Sequence, residues 1–215
     1  MSIGDMFKTN TVTLVLLILI NLGLFTLGNT PWMVLGLLCL AGALFLSYRQ
    51  GMAYGHEAAS LRKTVDRAMD PQSPTHGQLD DKLLKRAWSV SLGLRGVMAC
   101  ALLPYLVGAA YIISSLLKAE NLEMPLRLAS WLLASPYWPV VLPWYSTFDR
   151  LTGVVAAVLM ISPFVLPLST FAGYMKGPML WEKSEKAMAE GKRRAKAKSR
   201  VVRKKPTPRA QKPEI

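Results

Sequence analysis

The sequence predicts an all-α protein that crosses a membrane several times, and three observations lead to that class. Of the 215 residues, 52% are hydrophobic and only 18% are charged. The apolar residues come in four long blocks nearly free of charge, whereas soluble domains spread them along the chain. The net charge of +13 falls between and after these blocks. We therefore expect a multi-pass integral membrane protein with four transmembrane helices as two hairpins, a cytoplasmic helical hairpin and a basic C-terminal tail.

The first transmembrane hairpin occupies residues 1–48. Its spans are Thr11 to Leu27 and Trp32 to Tyr48, which with their flanking residues can cross ~30 Å of hydrocarbon at about 1.5 Å per residue. Only "GNTP" separates them, so they should pack as antiparallel neighbours. The leader is weakly charged and no small-x-small cleavage pattern follows the first span, which favours a retained helix over a cleaved signal.

Residues 49–95 form the predicted cytoplasmic loop. Helical spacing in "GMAYGHEAASLRKTVDRAM" suggests that the second span continues out of the membrane, and "DPQSPTHG" predicts a turn. "QLDDKLLKRAW" then restarts a helix, because its acidic start and basic end match the helix dipole. The nearby His, Asp and Glu residues have no recognised ligand spacing, so we expect no metal.

Residues 96–175 carry the second transmembrane pair, Gly96 to Leu117 and Leu151 to Tyr174, around an outer segment at 118–150. That segment contains 21 uncharged residues between Arg127 and Asp149, but its three prolines disfavour a fifth span. Its Trp and Tyr residues suit the headgroup zone. We expect a short amphipathic helix from about Leu126 to Ala134, and then an irregular aromatic stretch that lies in the interface or dips into it.

The distribution of Lys and Arg predicts the orientation. With four spans and the N-terminus inside, 23 basic residues lie in cytoplasmic parts and 3 in outer parts. Both termini are then cytoplasmic, in a cell membrane. The tail, 176–215, should begin as a helix with favourable i,i+4 ion pairs and be disordered after about residue 202, where proline and charge dominate.

The basic face supplies the candidate binding residues, which would contact anionic lipid or another polyanion. A nucleic acid or ribosome is a less favoured partner, and a tail that only fixes topology is the simplest alternative. Arg95 lies about 10 Å along the helix from Trp88, so snorkelling to headgroups competes with an anion-binding role. The candidates are Arg95, Trp181, Lys192, Arg193, Arg194, Lys196, Lys198 and Arg200.

Within the spans, Pro104, Pro163 and Pro167 should bend their helices, as in transporters that build sites at broken helices. Asn21 is better explained as a hydrogen-bonding link between helices, and the two cysteines as small packing residues. The second and fourth spans end alike, in "FLSYRQG" and "FAGYMKG", which weakly suggests a duplicated hairpin.

These observations indicate a non-enzymatic role, since no catalytic motif, cofactor motif or intramembrane carboxylate pair is present. We expect no cofactor. The favoured function is an accessory or scaffold subunit that contacts anionic inner-leaflet lipid, together with a protein partner or further copies of itself. The alternative is a small-solute transporter or channel subunit that uses the proline-bent helices 3 and 4.

Overall fold

The computed structural model describes residues 3–26, 29–72, 81–118, 120–141 and 153–203. These residues are helical almost throughout and contain no strand. The elements are α1 (Ile3–Phe25), α2 (Asn29–Met69), α3 (Asp81–Arg86), α4 (Val90–Leu116), α5 (Glu120–Ala134), a 3-10 turn (Ser135–Tyr137), α6 (Trp138–Val141) and α7 (Gly153–Arg203).

Four of these helices, α1, α2, α4 and α7, are long enough and apolar enough to cross a membrane. The predicted all-α class and the four apolar helices are therefore confirmed. Two of them run well past the predicted spans: α2 has 41 residues and α7 has 51. The continuation of α2 through Met69 agrees with its helical spacing, whereas most of the predicted turn and the residues after Arg203 lie outside the described residues.

Contacts between the helices define their directions. Asn21 of α1 is bonded to Trp32 of α2, while Thr9 near the start of α1 is bonded to Tyr54 further along α2, so these helices are antiparallel. Gly93 and Gly108 of α4 lie against Phe171 and Leu159 of α7 in the same antiparallel sense. The four long helices consequently alternate in direction along the chain.

The most extensive packing joins α2 to α7, which run parallel and belong to different predicted hairpins. They meet at two Gly-x-x-x-Gly pairs, Gly51 and Gly55 on α2 and Gly173 and Gly177 on α7. A methyl group on any of the four would overlap the backbone of the other helix. Small residues at this spacing let helix backbones approach closely. The two glycine pairs therefore fix where α2 and α7 cross.

Tyr174 connects this crossing to α4. Its side chain is almost completely buried, and its hydroxyl accepts a hydrogen bond from the Ser89 amide (3.2 Å) and donates one to the Ser89 carbonyl (3.3 Å). The Trp88 ring stacks on the Tyr174 ring, and the Trp88 amide donates to the Ala58 carbonyl of α2 at 3.0 Å. Ser89 also caps α4 through its side chain. The start of α4 is thus held against both long helices.

The outer segment differs from the prediction in two ways. The helix starts at Glu120, not near Leu126, and continues through Pro125. The aromatic residues that follow are buried: Tyr137 packs with Leu17, Leu40 and Leu166, and Trp138 packs in a cluster with Trp32. Room for the adjacent Pro139 comes from Gly36, where a Cβ would lie 2.6 Å from the proline ring. Residues 142–150, with the rest of the predicted aromatic stretch, lie outside the described residues.

Pro104 lies within α4, and Pro163 and Pro167 lie within α7; both helices continue through them. The expected bends stay a prediction. Asn21 behaves as expected: its buried Oδ1 accepts a hydrogen bond from the Trp32 indole at 3.2 Å, linking α1 to α2. Cys39 and Cys100 are both free thiols.

The glycine crossing predicts that Gly173→Ala destabilises the protein. The added methyl would overlap the Tyr48 carbonyl and force α2 and α7 apart, and overpacking of this kind costs about 1–3 kcal/mol. We expect a lower thermal midpoint for the detergent-solubilised protein. The matched control is Gly42→Ala on α2, where a Cβ meets nothing within 4 Å, so the change should be neutral or stabilising by up to about 1 kcal/mol. Equal thermal midpoints for the two variants would contradict the proposed crossing.

Candidate functional site

Each of the four long helices carries a basic residue where its apolar stretch ends at one and the same end of the bundle, which we call the basic end. These residues are Lys8, Arg49, Arg95 and Lys176, and all four are exposed. Three contacts place them at a common level. Lys8 and Gln50 line one groove, Met6 lies against Gly96, and Tyr48 lies against Gly173. The structure thereby places Arg95 at the same level of the bundle as basic residues from three other helices.

Beyond the basic end, α2 and α7 continue side by side as a two-helix stalk, formed by residues 49–69 of α2 and 176–191 of α7. Lys63 of α2 forms an ion pair with Glu185 of α7 and lies 4.6 Å from the centroid of the Trp181 ring. His56 and Ser184 meet at 3.3 Å. Both partners of the ion pair remain more than a third exposed, so the ion pair contributes little to stability. It does show that α2 and α7 remain in contact at this distance from the bundle.

This packing gives Trp181 a role that the sequence pattern did not predict. One of its ring faces is covered by a lysine of α2, so it holds the stalk together through a cation–π contact. The proposed contact between Trp181 and lipid or a polyanion remains a prediction.

The other candidate cations lie at the far end of α7, in residues 192–203, which we call the distal basic helix. This stretch carries seven Lys or Arg and no Asp or Glu. Lys192, Arg193, Arg194 and Lys196 are exposed. Lys198 and Arg200 lie in the helix, but their side chains are outside the described part of the structure. The basic tail is thus helical through Arg203.

A cavity of about 150 Å³ lies inside the bundle, between α1, α4, α5, α7 and the 3-10 turn. All three predicted bend residues, Pro104, Pro163 and Pro167, line it, as does Cys100. Among the described residues that line it there is no Lys, Arg, Asp or Glu, and Arg95 is not one of them. Its polar lining consists of an amide, hydroxyls and a thiol, contributed by Asn10, Thr11, Cys100, Ser130, Tyr137 and Ser162.

Asn10 joins three helices beside this cavity. Its Oδ1 accepts a hydrogen bond from the Thr170 hydroxyl of α7 at 3.0 Å, and its Nδ2 donates to the Met6 carbonyl at 3.0 Å and approaches the Cys100 Sγ of α4 at 3.8 Å. Both Asn10 and Thr170 are buried. A polar group in an apolar interior is costly unless it is bonded, so this arrangement favours a structural role for Asn10.

Comparison with protein families, with curated proteins and with solved structures gives no match to this chain. Its function therefore has to be inferred from its own residues.

Sequence reasoning missed the Asn10 cluster because Asn10 precedes the predicted first span. It also missed the glycine crossing, although the signal was present: the echoed motifs end at Gly51 and Gly177, and each belongs to a Gly-x-x-x-Gly pair. The echo has a physical meaning in the fold, because both copies lie at the same helix crossing.

The buried polar contact predicts a measurable coupling between Asn10 and Thr170. In a double-mutant cycle with Asn10→Leu and Thr170→Val, we expect a coupling free energy of about 0.6 kcal/mol and at most about 1.7 kcal/mol, typical for hydrogen bonds between membrane helices. Reversible unfolding in detergent measures it. Thr13→Val is the matched control, because the Thr13 hydroxyl donates to Thr9 within its own helix at 2.9 Å. A coupling of Asn10 with Thr13 as large as with Thr170 would contradict the assignment.

Proposed function

We propose that this chain is a non-enzymatic scaffold or accessory subunit of a membrane assembly, with four transmembrane helices, both termini in the cytoplasm and partners bound at its basic end. One observation carries the proposal: the α2–α7 pair continues past the apolar spans as a stalk, and the chain's cationic residues are concentrated on that side. Most residues of α7 from Met179 to Gly191 are exposed, so this face of the stalk is available to other molecules.

The charge distribution supports the orientation. With the basic end in the cytoplasm, 23 of the Lys and Arg residues stay on that side and 3 lie on the other, as positive-inside topology requires. The alternating helix directions bring the start of α1 and the charged part of α7 to the same side.

Anionic lipid is the first class of partner. Lys8, Arg49, Arg95 and Lys176 are exposed at one level, where the apolar helices meet their first charges. Each basic residue near an anionic surface contributes about 1 kcal/mol of attraction, so this ring would hold the bundle against the inner headgroups. Arg95 then acts as one of four lipid contacts.

A protein is the second class of partner, or another copy of the chain. The stalk exposes large apolar side chains next to its charges: Met179 is 58% exposed and Met188 is 59% exposed. Methionine adapts its shape to different surfaces and is common at binding faces. The stalk thus combines apolar contact area with positive charge.

A second candidate function, a small-solute pathway, is favoured by the cavity that Pro104, Pro163 and Pro167 line. Such a pathway needs polar groups that can meet a solute. Of the polar groups at this cavity, the Asn10 amide bonds Thr170 and the Ser130 hydroxyl bonds the Val107 carbonyl at 3.3 Å. Because these groups already hold helices together, the scaffold is the better-supported function.

Thiol labelling in intact membranes separates the two functions. In a Cys39→Ser background we expect Cys100 to resist a membrane-impermeant thiol reagent, because the scaffold needs no water-filled pathway beside it. Ala189→Cys, at an exposed site on the stalk, is the reactive control in inside-out vesicles. Labelling of Cys100 at a rate close to that of the control would favour the transporter.

Site-specific photo-cross-linking tests the scaffold directly. A photoreactive residue at Met188 should give one or a few discrete adducts in native membranes, since the stalk is the proposed docking surface. Leu122 on α5 is the matched control, because it is equally exposed at 59% but lies at the other end of the bundle. Adducts at Leu122 alone, or none at either position, would overturn the scaffold proposal.

A further inference from the structure

The distal basic helix begins where α2 ends. Lys63 of α2 pairs with Glu185 of the parallel α7, so at equal rise per residue Met69, the last residue of α2, lies level with Gly191. A Cβ on Gly191 would meet nothing within 4 Å. Among the described residues, the cationic stretch from Lys192 onward therefore extends past the end of α2, the helix that supports α7 up to this point.

With the basic end at the lipid headgroups, as proposed above, this position is far from the membrane surface. Lys176 is part of the basic end, and Lys192 lies 16 residues further along the same helix, which is about 24 Å at 1.5 Å per residue. A tilt of about 40°, the upper end of the range for membrane helices, still leaves about 18 Å. Arg203 is a further 11 residues, or about 17 Å, along the axis.

Electrostatic attraction to the membrane decreases over the distance of about 18–24 Å between Lys176 and Lys192. The screening length at physiological salt is about 8 Å, and the surface potential of anionic lipid decays on this scale. At about 18 Å the potential has fallen to about one tenth of its surface value. Lipid contact, which the sequence favoured for this run, is therefore restricted to the ring at the basic end.

The chemistry of the distal basic helix selects a phosphate-rich partner in solution. Seven cations in 12 residues, along about 17 Å of axis, approach the linear charge density of a nucleic acid duplex. Lys192, Arg193 and Arg194 are consecutive and exposed, and successive residues of a helix point about 100° apart, so these three cations lie on different sides of the helix. No aromatic residue is present to anchor a protein interface.

We propose that the distal basic helix binds the phosphate backbone of structured RNA and holds it near the membrane. RNA fits better than DNA because the narrow A-form groove brings two phosphate rows close together, so that cations on different sides of one helix meet phosphate. This inference rests on the proposed cytoplasmic orientation and names the partner class of the scaffold.

Binding is tested with the full chain in nanodiscs and a fluorescent RNA hairpin. We expect binding in zwitterionic discs that weakens steeply with salt, and little change when the discs contain anionic lipid. Neutralising Lys192, Arg193, Arg194 and Lys196 to Gln should lower affinity at least about tenfold and reduce the slope of log K against log salt by about 3.

The matched control removes the same number of charges lower on the stalk, with Arg62, Arg67, Lys183 and Lys186 changed to Gln. It should lower affinity by less than about threefold, because Arg62 and Arg67 lie on α2, Lys183 and Lys186 lie on α7, and all four precede the distal basic helix along the stalk. Equal losses in the two variants would show diffuse attraction and overturn a defined site. Binding of a DNA duplex as tightly as the RNA hairpin, or no RNA binding at 50 mM salt, would overturn the RNA assignment.

The position of the helix is tested separately by fluorescence quenching. A dye on Ala195→Cys, in a chain with both native cysteines changed to Ser, should be unquenched by headgroup nitroxide lipids in anionic vesicles. A dye on Ser91→Cys, near Arg95, is the control that should be quenched. Equal quenching would place the run on the membrane and make lipid its partner.

The RNA assignment and the scaffold can fail independently. Discrete Met188 adducts without RNA binding would leave the scaffold standing and remove RNA as its partner. RNA binding without Met188 adducts would overturn the protein scaffold and leave an RNA-binding membrane anchor.

Discussion

Backbone contact between α2 and α7 is the constraint on which the arrangement depends. At Gly51, Gly55, Gly173 and Gly177 no side chain separates the two helices, so their crossing point cannot slide without a clash. Tyr174 lies beside this contact, and its hydroxyl holds both backbone groups of Ser89, where α4 begins. One close crossing therefore sets the relative height of three of the four apolar helices. It also sends two helices out of the bundle together, which a looser pair would not do.

Hydrogen bonds between helices help to determine which helices of the bundle pack against each other, because hydrophobic contact alone does not favour one neighbouring helix over another. In lipid, an apolar helix face is equally satisfied by acyl chains, so polar links and close packing decide which helices associate. Asn10 links α1 to α7, Asn21 links α1 to α2, and Ser169 donates to the Leu44 carbonyl of α2 at 2.8 Å. Of these three links, the sequence predicts only the one made by Asn21.

The sequence predicts the apolar helices well because each is recognised by its apolar composition over about 20 residues, and this composition does not depend on tertiary contacts. Helical spacing likewise predicts that α2 extends to Met69. The outer segment was harder to predict. Tyr and Trp occur both at membrane interfaces and in protein cores, so the identities of Tyr137 and Trp138 do not distinguish the two environments. The space that buries Pro139 is created by Gly36, which lies on another helix. The candidate site was predicted by charge alone. Its height above the bundle depends on how far α2 supports α7, which is a tertiary property.

The pairing of α2 with α7 has a consequence for biosynthesis. Lys63 and Glu185 are 122 residues apart, so the first half of the stalk leaves the ribosome long before the second. At about 5–20 residues per second, the interval is about 6–24 seconds. Throughout that time the glycine face of α2 cannot pack against α7. Synthesis of α7 thus decides when α2 reaches its packed state, and a chain truncated before Gly173 leaves the glycine face of α2 without this partner.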